Sequence, residues 1–253
     1  MIKVTIIGSG NVAQHLISEF VNAENIELLQ VFSRKKSSVS HLINDSKIVS
    51  DYSFLLESDL FIISVSDDAI SEVSSKIPFT NQLVAHTSGS FSINDLDSKN
   101  RKAVFYPLQT FSKNKAVNFQ EIPICLETEN ELDNNILNRV AQSISSKIYT
   151  INSNQRKSLH VSAVFVCNFV NHLYQIGNDI CSENQVNFEI LKPLIQETAH
   201  KILLLSPIDA QTGPAKRNDN ETINSHLKFL SNENQKEIYK LLTKSIIDNG
   251  KKL

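Results

Sequence analysis

Apolar positions along the chain fall into two regimes. Up to residue 152, short apolar runs alternate with helical stripes, and beyond it only helical spacing remains. Residues 1–7 read as a buried strand, and Val12, Ala13, Leu16, Ile17, Phe20 and Val21 recur behind it at helical spacing. Residues 27–32, 47–49, 60–65, 83–86, 103–106, 122–126 and 147–151 read as further strands, with a helix over 131–145 before the last. Strands spaced by helices predict parallel βαβ units in an α/β, doubly wound, mostly parallel sheet of the Rossmann class.

The second regime predicts an all-α C-terminal domain, so the expected division is 1–152 and 153–253. Residues 159–180 are apolar on nearly every face, interrupted by Ser162, Asn168, Asn171 and His172. A helix apolar all round is buried all round. In so small a helical domain that implies a second subunit over one face, hence a homodimer. Leu191, Leu194, Ile195, Thr198 and Ile202 form the next stripe, and a turn-rich loop covers residues 206–219. Asp219 or Asn220 caps a helix reaching Leu230, and Ile238, Leu241, Leu242, Ile246 and Ile247 mark the last one.

Composition narrows the partners. The 253 residues are 41% hydrophobic, with 25 basic and 27 acidic side chains. A near-neutral balance argues against nucleic acid or an anionic membrane surface as partner. No apolar run approaches the roughly 18 residues of a membrane span, and the chain enters a strand with no signal-peptide pattern. Cys125, Cys167 and Cys181 give neither a disulfide framework nor a metal knuckle. The expectation is a cytoplasmic protein with three buried thiols and no metal.

The chemistry begins where the first strand ends. Gly8-Ser9-Gly10-Asn11-Val12-Ala13 between strand and helix fits G-x-G-x-x-A, the turn that holds a dinucleotide pyrophosphate. Gly8 permits the tight turn, Gly10 lets phosphate approach the backbone, and Ala13 lets the helix pack closely. The helix N-terminus adds unpaired N–H groups and partial positive charge. An ordinary strand–helix turn is the competing reading, and the position at the head of a long α/β pattern favours nucleotide binding.

The tip of the second strand sets the cofactor. NAD enzymes usually place Asp or Glu there for the ribose 2′-hydroxyl. Here Ser33, Arg34 and Lys35 follow Phe32, with no carboxylate at the tip. Ser33 can bond a 2′-phosphate and Arg34 can pair with it, helped by Lys35, which favours NADP. Ser64, Val65 and Ser66 form the next strand tip, lying along the cofactor. Ser66 or Asp67 is a good helix cap there, and capping alone accounts for Asp67 and Asp68.

Substrate chemistry is expected at later tips. His86-Thr87-Ser88-Gly89-Ser90 offers hydroxyls, N–H groups and a proton donor in His86, against the plain reading of a turn. Tyr106-Pro107-Leu108-Gln109-Thr110 should converge on the same crevice. On the central helix His160, Val164, Asn168 and His172 recur every four residues. Buried polar groups there need partners, so they line the crevice or are satisfied core or interface groups. His160 and Asn168 are the best catalytic candidates beside His86. Ser88, Gln109, Thr110 and His172 are candidate substrate contacts.

This ordered set, with Phe111-Ser112 and Ala210-Gln211-Thr212-Gly213-Pro214-Ala215, resembles the bacterial Rossmann-like family carrying domain of unknown function 2520. Its members are labelled NADP oxidoreductases, and the resemblance spans essentially the whole chain. Tyr-Pro-Leu-Gln-Thr-Phe and Gln-Thr-Gly-Pro-Ala are its specific stretches. The architecture is similar to pyrroline-5-carboxylate reductase, to the 6-phosphogluconate and β-hydroxyacid dehydrogenases, and to deazaflavin-dependent NADP reductases. The resemblance implies dimers joined through helical domains, and an NADP-dependent oxidoreductase acting between the domains on a small carbonyl, imine or hydroxy compound.

The chain departs from those relatives at known positions. β-Hydroxyacid dehydrogenases carry Lys with Asn one turn later on the central helix, whereas Val161 follows Lys157 here. Prephenate dehydrogenase-like enzymes have a His where Tyr106 stands. Gly213-Pro214-Ala215 lies late in the helical domain, unlike the early loop of pyrroline-5-carboxylate reductase. The missing Lys–Asn pair keeps open a second reading, a dinucleotide-binding regulator without turnover.

Overall fold

Every apolar run of the first half becomes a strand of one sheet. The computed structural model describes residues 1–113 and 115–250. Strands β1 (Ile2–Ile7), β2 (Ile26–Phe32), β3 (Ile48–Val49), β4 (Leu60–Ile63), β5 (Leu83–His86), β6 (Arg101–Pro107), β7 (Ile124–Thr128) and β8 (Ile148–Thr150) line up in the order β3-β2-β1-β4-β5-β6-β7-β8. The first six are parallel, and their order 3-2-1-4-5-6 is that of the doubly wound dinucleotide-binding sheet.

One connection departs from the βαβ expectation. β7 pairs antiparallel with β6, and β8 then runs parallel to β7. A parallel return needs a crossover, and among the described residues between β6 and β7 only the 3-10 turn Phe119–Glu121 interrupts the segment. Lacking a crossover helix, the chain re-enters the sheet from the end it left.

Helices α1 (Asn11–Asn22), α2 (Ile70–Lys76) and α3 (Glu131–Gln142) flank the sheet. Ala13, Leu16, Ile17 and Phe20 of α1 pack on one sheet face with Val4, Ile6, Leu28, Val31 and Phe105. Phe61, Ile63 and Val84 head a second core on the other face with Ile70 of α2. Strands buried on both faces read as continuous apolar runs, which is why LFII and LVAH stand out in the sequence.

Helix α4 (Ser153–Ala163) runs into a π-helical turn, Val164–Phe169, followed by α5 (Val170–Glu183). Then come α6 (Lys192–Leu204), the short α7 (Pro207–Ala210), α8 (Asn220–Phe229) and α9 (Glu233–Gly250). Asp219 caps α8, its carboxylate accepting the Thr222 N–H at 3.0 Å. The chain divides into two compact units, residues 1–167 and the residues from Asn168 onward. The first unit thus keeps α4, past the change of pattern at residue 152.

The expected burial of the central helix on all sides is not met within one chain. Val161, Phe165, Val166 and Phe169 are all about half exposed or more. Of the three cysteines only Cys125, on β7, is buried; Cys167 is exposed and Cys181 partly so. No described helix is long and apolar enough to cross a membrane.

Candidate functional site

The first unit contains a cleft of about 740 Å³ at the carboxyl ends of its strands, where open α/β sheets bind ligands. Its floor is the glycine turn. Gly8 has φ +141°, and a Cβ there would stand 2.0 Å from the Ser64 carbonyl oxygen, so no side chain fits. Around Gly10 the opposite holds: a Cβ would meet nothing within 4 Å. Gly10 is also the N-cap of α1 and offers no side-chain cap. Open space therefore faces uncapped N–H groups. Ser9, Asn11 and Val12 line the cleft beside it, and Ala13, in the first turn of α1, is fully buried.

The tip of β2 lies at one end of this cleft. Ser33 is buried and its hydroxyl is engaged, donating to the Lys35 carbonyl at 2.9 Å and accepting the Lys35 N–H at 3.3 Å. It shapes the turn that presents Arg34. Arg34 is exposed and makes no ion pair within 4 Å among the described residues. Lys35 is exposed and does not line the cleft. Tyr52, Glu72 and Lys76 do, although the sequence reading named none of them.

Ser64, Val65 and Ser66 lie along the cleft wall. The Ser64 hydroxyl accepts from Thr87 at 3.2 Å. Ser66 stands at the cap position of the 3-10 turn Asp67–Ala69, yet its side chain makes no capping bond.

At the other end Tyr106, from β6, meets His160, from α4. The phenol oxygen and His160 Nδ1 are 3.1 Å apart. Gly89 makes this approach possible, since a Cβ there would lie 2.5 Å from His160 Nδ1 and 2.9 Å from Tyr106 Cζ. Burial pushes the Tyr106 phenol up to about 12, with Cys125 adding to the rise and the Arg156 charge opposing it. The phenol therefore keeps its proton at neutral pH. Ser88 and Gln109 line the cleft nearby. Ser88 Oγ accepts the N–H groups of Ser90 and Phe91, both at 3.0 Å, leaving its own proton uncommitted.

His160 owes its place to the start of α4. Asn152 and Gln155 form a reciprocal capping box. One residue later Arg156, 1% exposed, pairs with Glu127 of β7 and donates to the Phe91 carbonyl at 2.6 Å. His160 is one turn further along the helix. The capping signal was present in the sequence as N-x-x-Q, whereas the Arg156–Glu127 pairing joins positions 29 apart with no local signature.

His86 and Thr110, of the same unit, lie outside the cleft lining. His86 is fully buried and does not line the cleft. Its Nδ1 accepts the Ser88 N–H at 3.1 Å, which puts the proton on Nε2, an atom with no partner among the described residues. Burial, then the Arg156 charge, lowers its pKa to about 3. It is a neutral brace under the Ser88 turn. The Thr110 N–H and hydroxyl both point to Gln109 Oε1, at 2.8 and 3.3 Å, and Thr110 is not at the cleft. Asn168 and His172 belong to the second unit, where both are exposed.

Residues 3–87 match a family model described as NADP oxidoreductase, coenzyme F420-dependent. Residues 122–246 match the domain of unknown function DUF2520. A protein of Bacteroides fragilis, described as a "putative NADP oxidoreductase", is 35% identical over 98% of both chains, with a TM-score of 0.87. This chain belongs to the DUF2520 family. A Thermotoga maritima protein shares the DUF2520 chain's fold at 19% identity, with 98% of each chain covered and a TM-score of 0.76. So does a Plasmodium falciparum pyrroline carboxylate reductase solved with NADP bound, at 16% identity over 99% of this chain and 97% of that one, TM-score 0.61. No curated protein matches the DUF2520 chain.

Proposed function

We propose that this chain is an NADP-dependent oxidoreductase acting on a small carbonyl, imine or hydroxy compound. The reading rests above all on one observation: a single cleft runs from an uncapped glycine turn to a protonated phenol paired with an imidazole. The residues fit a dinucleotide. Open space over Gly10 admits a pyrophosphate to the N–H groups of α1. Arg34, held out by the Ser33 turn, is free to pair with a 2′-phosphate. The bound cofactor would supply or accept the hydride.

The chain's own part is proton handling and placement. With His160 Nδ1–H donating to its oxygen, Tyr106 directs its proton into the cleft, toward the oxygen or nitrogen of the compound being reduced. His160 then stabilises the phenolate that is left. The free hydroxyl proton of Ser88 and the Gln109 amide orient the same compound. The B. fragilis relative, described as an NADP oxidoreductase, supports this reading.

Titration of the pure protein with NADPH and NADH, followed by nucleotide fluorescence, tests it. NADPH should bind tighter, and Arg34→Glu should reverse the preference. No binding, or tighter NADH binding, refutes the cofactor assignment. Tight NADPH binding with no oxidation across a broad carbonyl and imine screen would instead favour a regulatory protein.

We also propose that the helical unit forms a homodimer. Leu194, Ile202, Leu203, Leu204 and Leu241 are each more than half exposed, and a self-association interface is the plainest cover for so much apolar surface. A monomer by light scattering at micromolar concentration would refute it.

A further inference from the structure

The 2′-phosphate end of the cleft contains more charge than Arg34 alone. Glu72 and Lys76, one turn apart on α2, line it together with Tyr52. The Glu72 Oε1–Lys76 Nζ distance is 2.5 Å. Tyr52 stacks on Phe32 at the tip of β2, with ring centroids 4.2 Å apart. The wall of this end is thus two stacked rings, with a carboxylate and two cations around them. The Lys76 hydrogen bond and charge, and more weakly the Arg34 charge, hold the Glu72 carboxyl below the usual range.

We infer that Lys76 is a second cation for the 2′-phosphate and that Glu72 is its resident counter-ion, so that the pair sets how strongly the cleft prefers a 2′-phosphorylated dinucleotide over its 2′-hydroxyl form. The inference rests on the cofactor reading above and extends it to residues outside the β2 tip. Both side chains are at least half exposed. An exposed i,i+4 pair is held weakly, so a phosphate dianion can take Lys76 from Glu72. A ribose with a free 2′-hydroxyl leaves the pair intact and finds in Glu72 an acceptor of the kind NAD sites use. The carboxylate missing from the β2 tip is therefore supplied from α2, already neutralised by a lysine.

Binding measurements need no substrate. Dissociation constants for NADPH and NADH are obtained by fluorescence titration for wild type, Lys76→Gln, Glu72→Gln, the double variant and Arg34→Glu. Lys76→Gln should weaken NADPH by about five- to tenfold and leave NADH within about twofold. Glu72→Gln should tighten NADPH by a few-fold and weaken NADH. In the double variant the two effects should not add, because each substitution removes the other's partner. Higher salt should shrink the differences. Equal effects of Lys76→Gln on both nucleotides, or an unchanged preference in Glu72→Gln, overturn the inference. If Arg34→Glu reverses the preference while Lys76→Gln leaves it unchanged, only the α2 pair is refuted and the cofactor reading stands. A wild type that binds neither nucleotide refutes both. Thermal melts of the variants should match wild type, as expected for exposed positions.

Discussion

The two units of this chain handle their apolar residues in opposite ways. In the first unit the sheet is sandwiched between two cores, and Phe61, Ile62 and Phe105 are wholly out of water. In the second, Ala215 and Ile223 are the buried apolar residues among those described, while Leu203 and Leu204 are 78% and 87% exposed. Hydrophobic content is a property of sequence, but burial needs something to bury against. The first unit supplies its own cover and the second does not.

The sharpest test of that contrast uses the same substitution in both units. Leu60→Ala, on β4, should cost about 2–5 kcal/mol in urea denaturation, because a fully packed site cannot collapse onto the void. Leu204→Ala should cost under about 0.5 kcal/mol if the side chain stays in water. A larger loss that grows with dilution would mean that a second copy covers it.

Of similar size is the buried ion pair of the first unit. Arg156→Met leaves Glu127 partly buried without its guanidinium, and should destabilise the unit by about 3–5 kcal/mol. It should also broaden the His160 ring resonances in NMR, since the anchor of α4 is gone. Unchanged His160 signals would show that the capping box alone places the helix.

Acid should act on the first unit first. His86 titrates near 6.5 when unfolded and near 3 when folded. The unfolded chain therefore binds the proton more readily. The contribution is fully present above about pH 6.5 and is lost as pH falls toward 3, by up to about 1.4 kcal/mol per pH unit. His86→Leu should flatten the slope of stability against pH in that window, whatever it does at pH 7. An unchanged slope would assign the acid sensitivity to other groups.

A smaller effect concerns the cleft. Tyr106→Phe removes one hydrogen bond and should cost about 0.5–1.5 kcal/mol. It should leave NADPH affinity unchanged and shift the His160 Nδ1 resonance. A large loss of NADPH binding would mean that the phenol holds the cofactor rather than a proton.

The contrast between units also governed what the sequence revealed. Strands buried on both faces, such as β4 and β5, advertise themselves as apolar runs, and the glycine turn was legible because its spacing is local. Tyr106 was legible as a strand tip but not as a partner of His160, 54 residues away, because nothing local records that pairing. Lys76 and Glu72 went unnamed in the sequence, because only the fold brings α2 to the same cleft as the β2 tip. His86 misled in the opposite direction. A histidine at a strand end has the residue type of a donor, and burial, which strips it of that chemistry, is a tertiary property.

The reversal of β7 has a consequence for how this scaffold can vary. A crossover would carry the chain from the ligand edge of the sheet to the far edge, committing most of its length to a helix. Here the link from β6 to β7 begins and ends on the ligand edge. Its backbone carbonyls at Phe111 and Ser112 meet Asn11 and His15 of α1 at 3.2 and 3.1 Å. Residues added to or removed from this link would change the mouth of the cleft without altering the length of any strand. Substrate range could thus diverge here while the cofactor seat stays as it is.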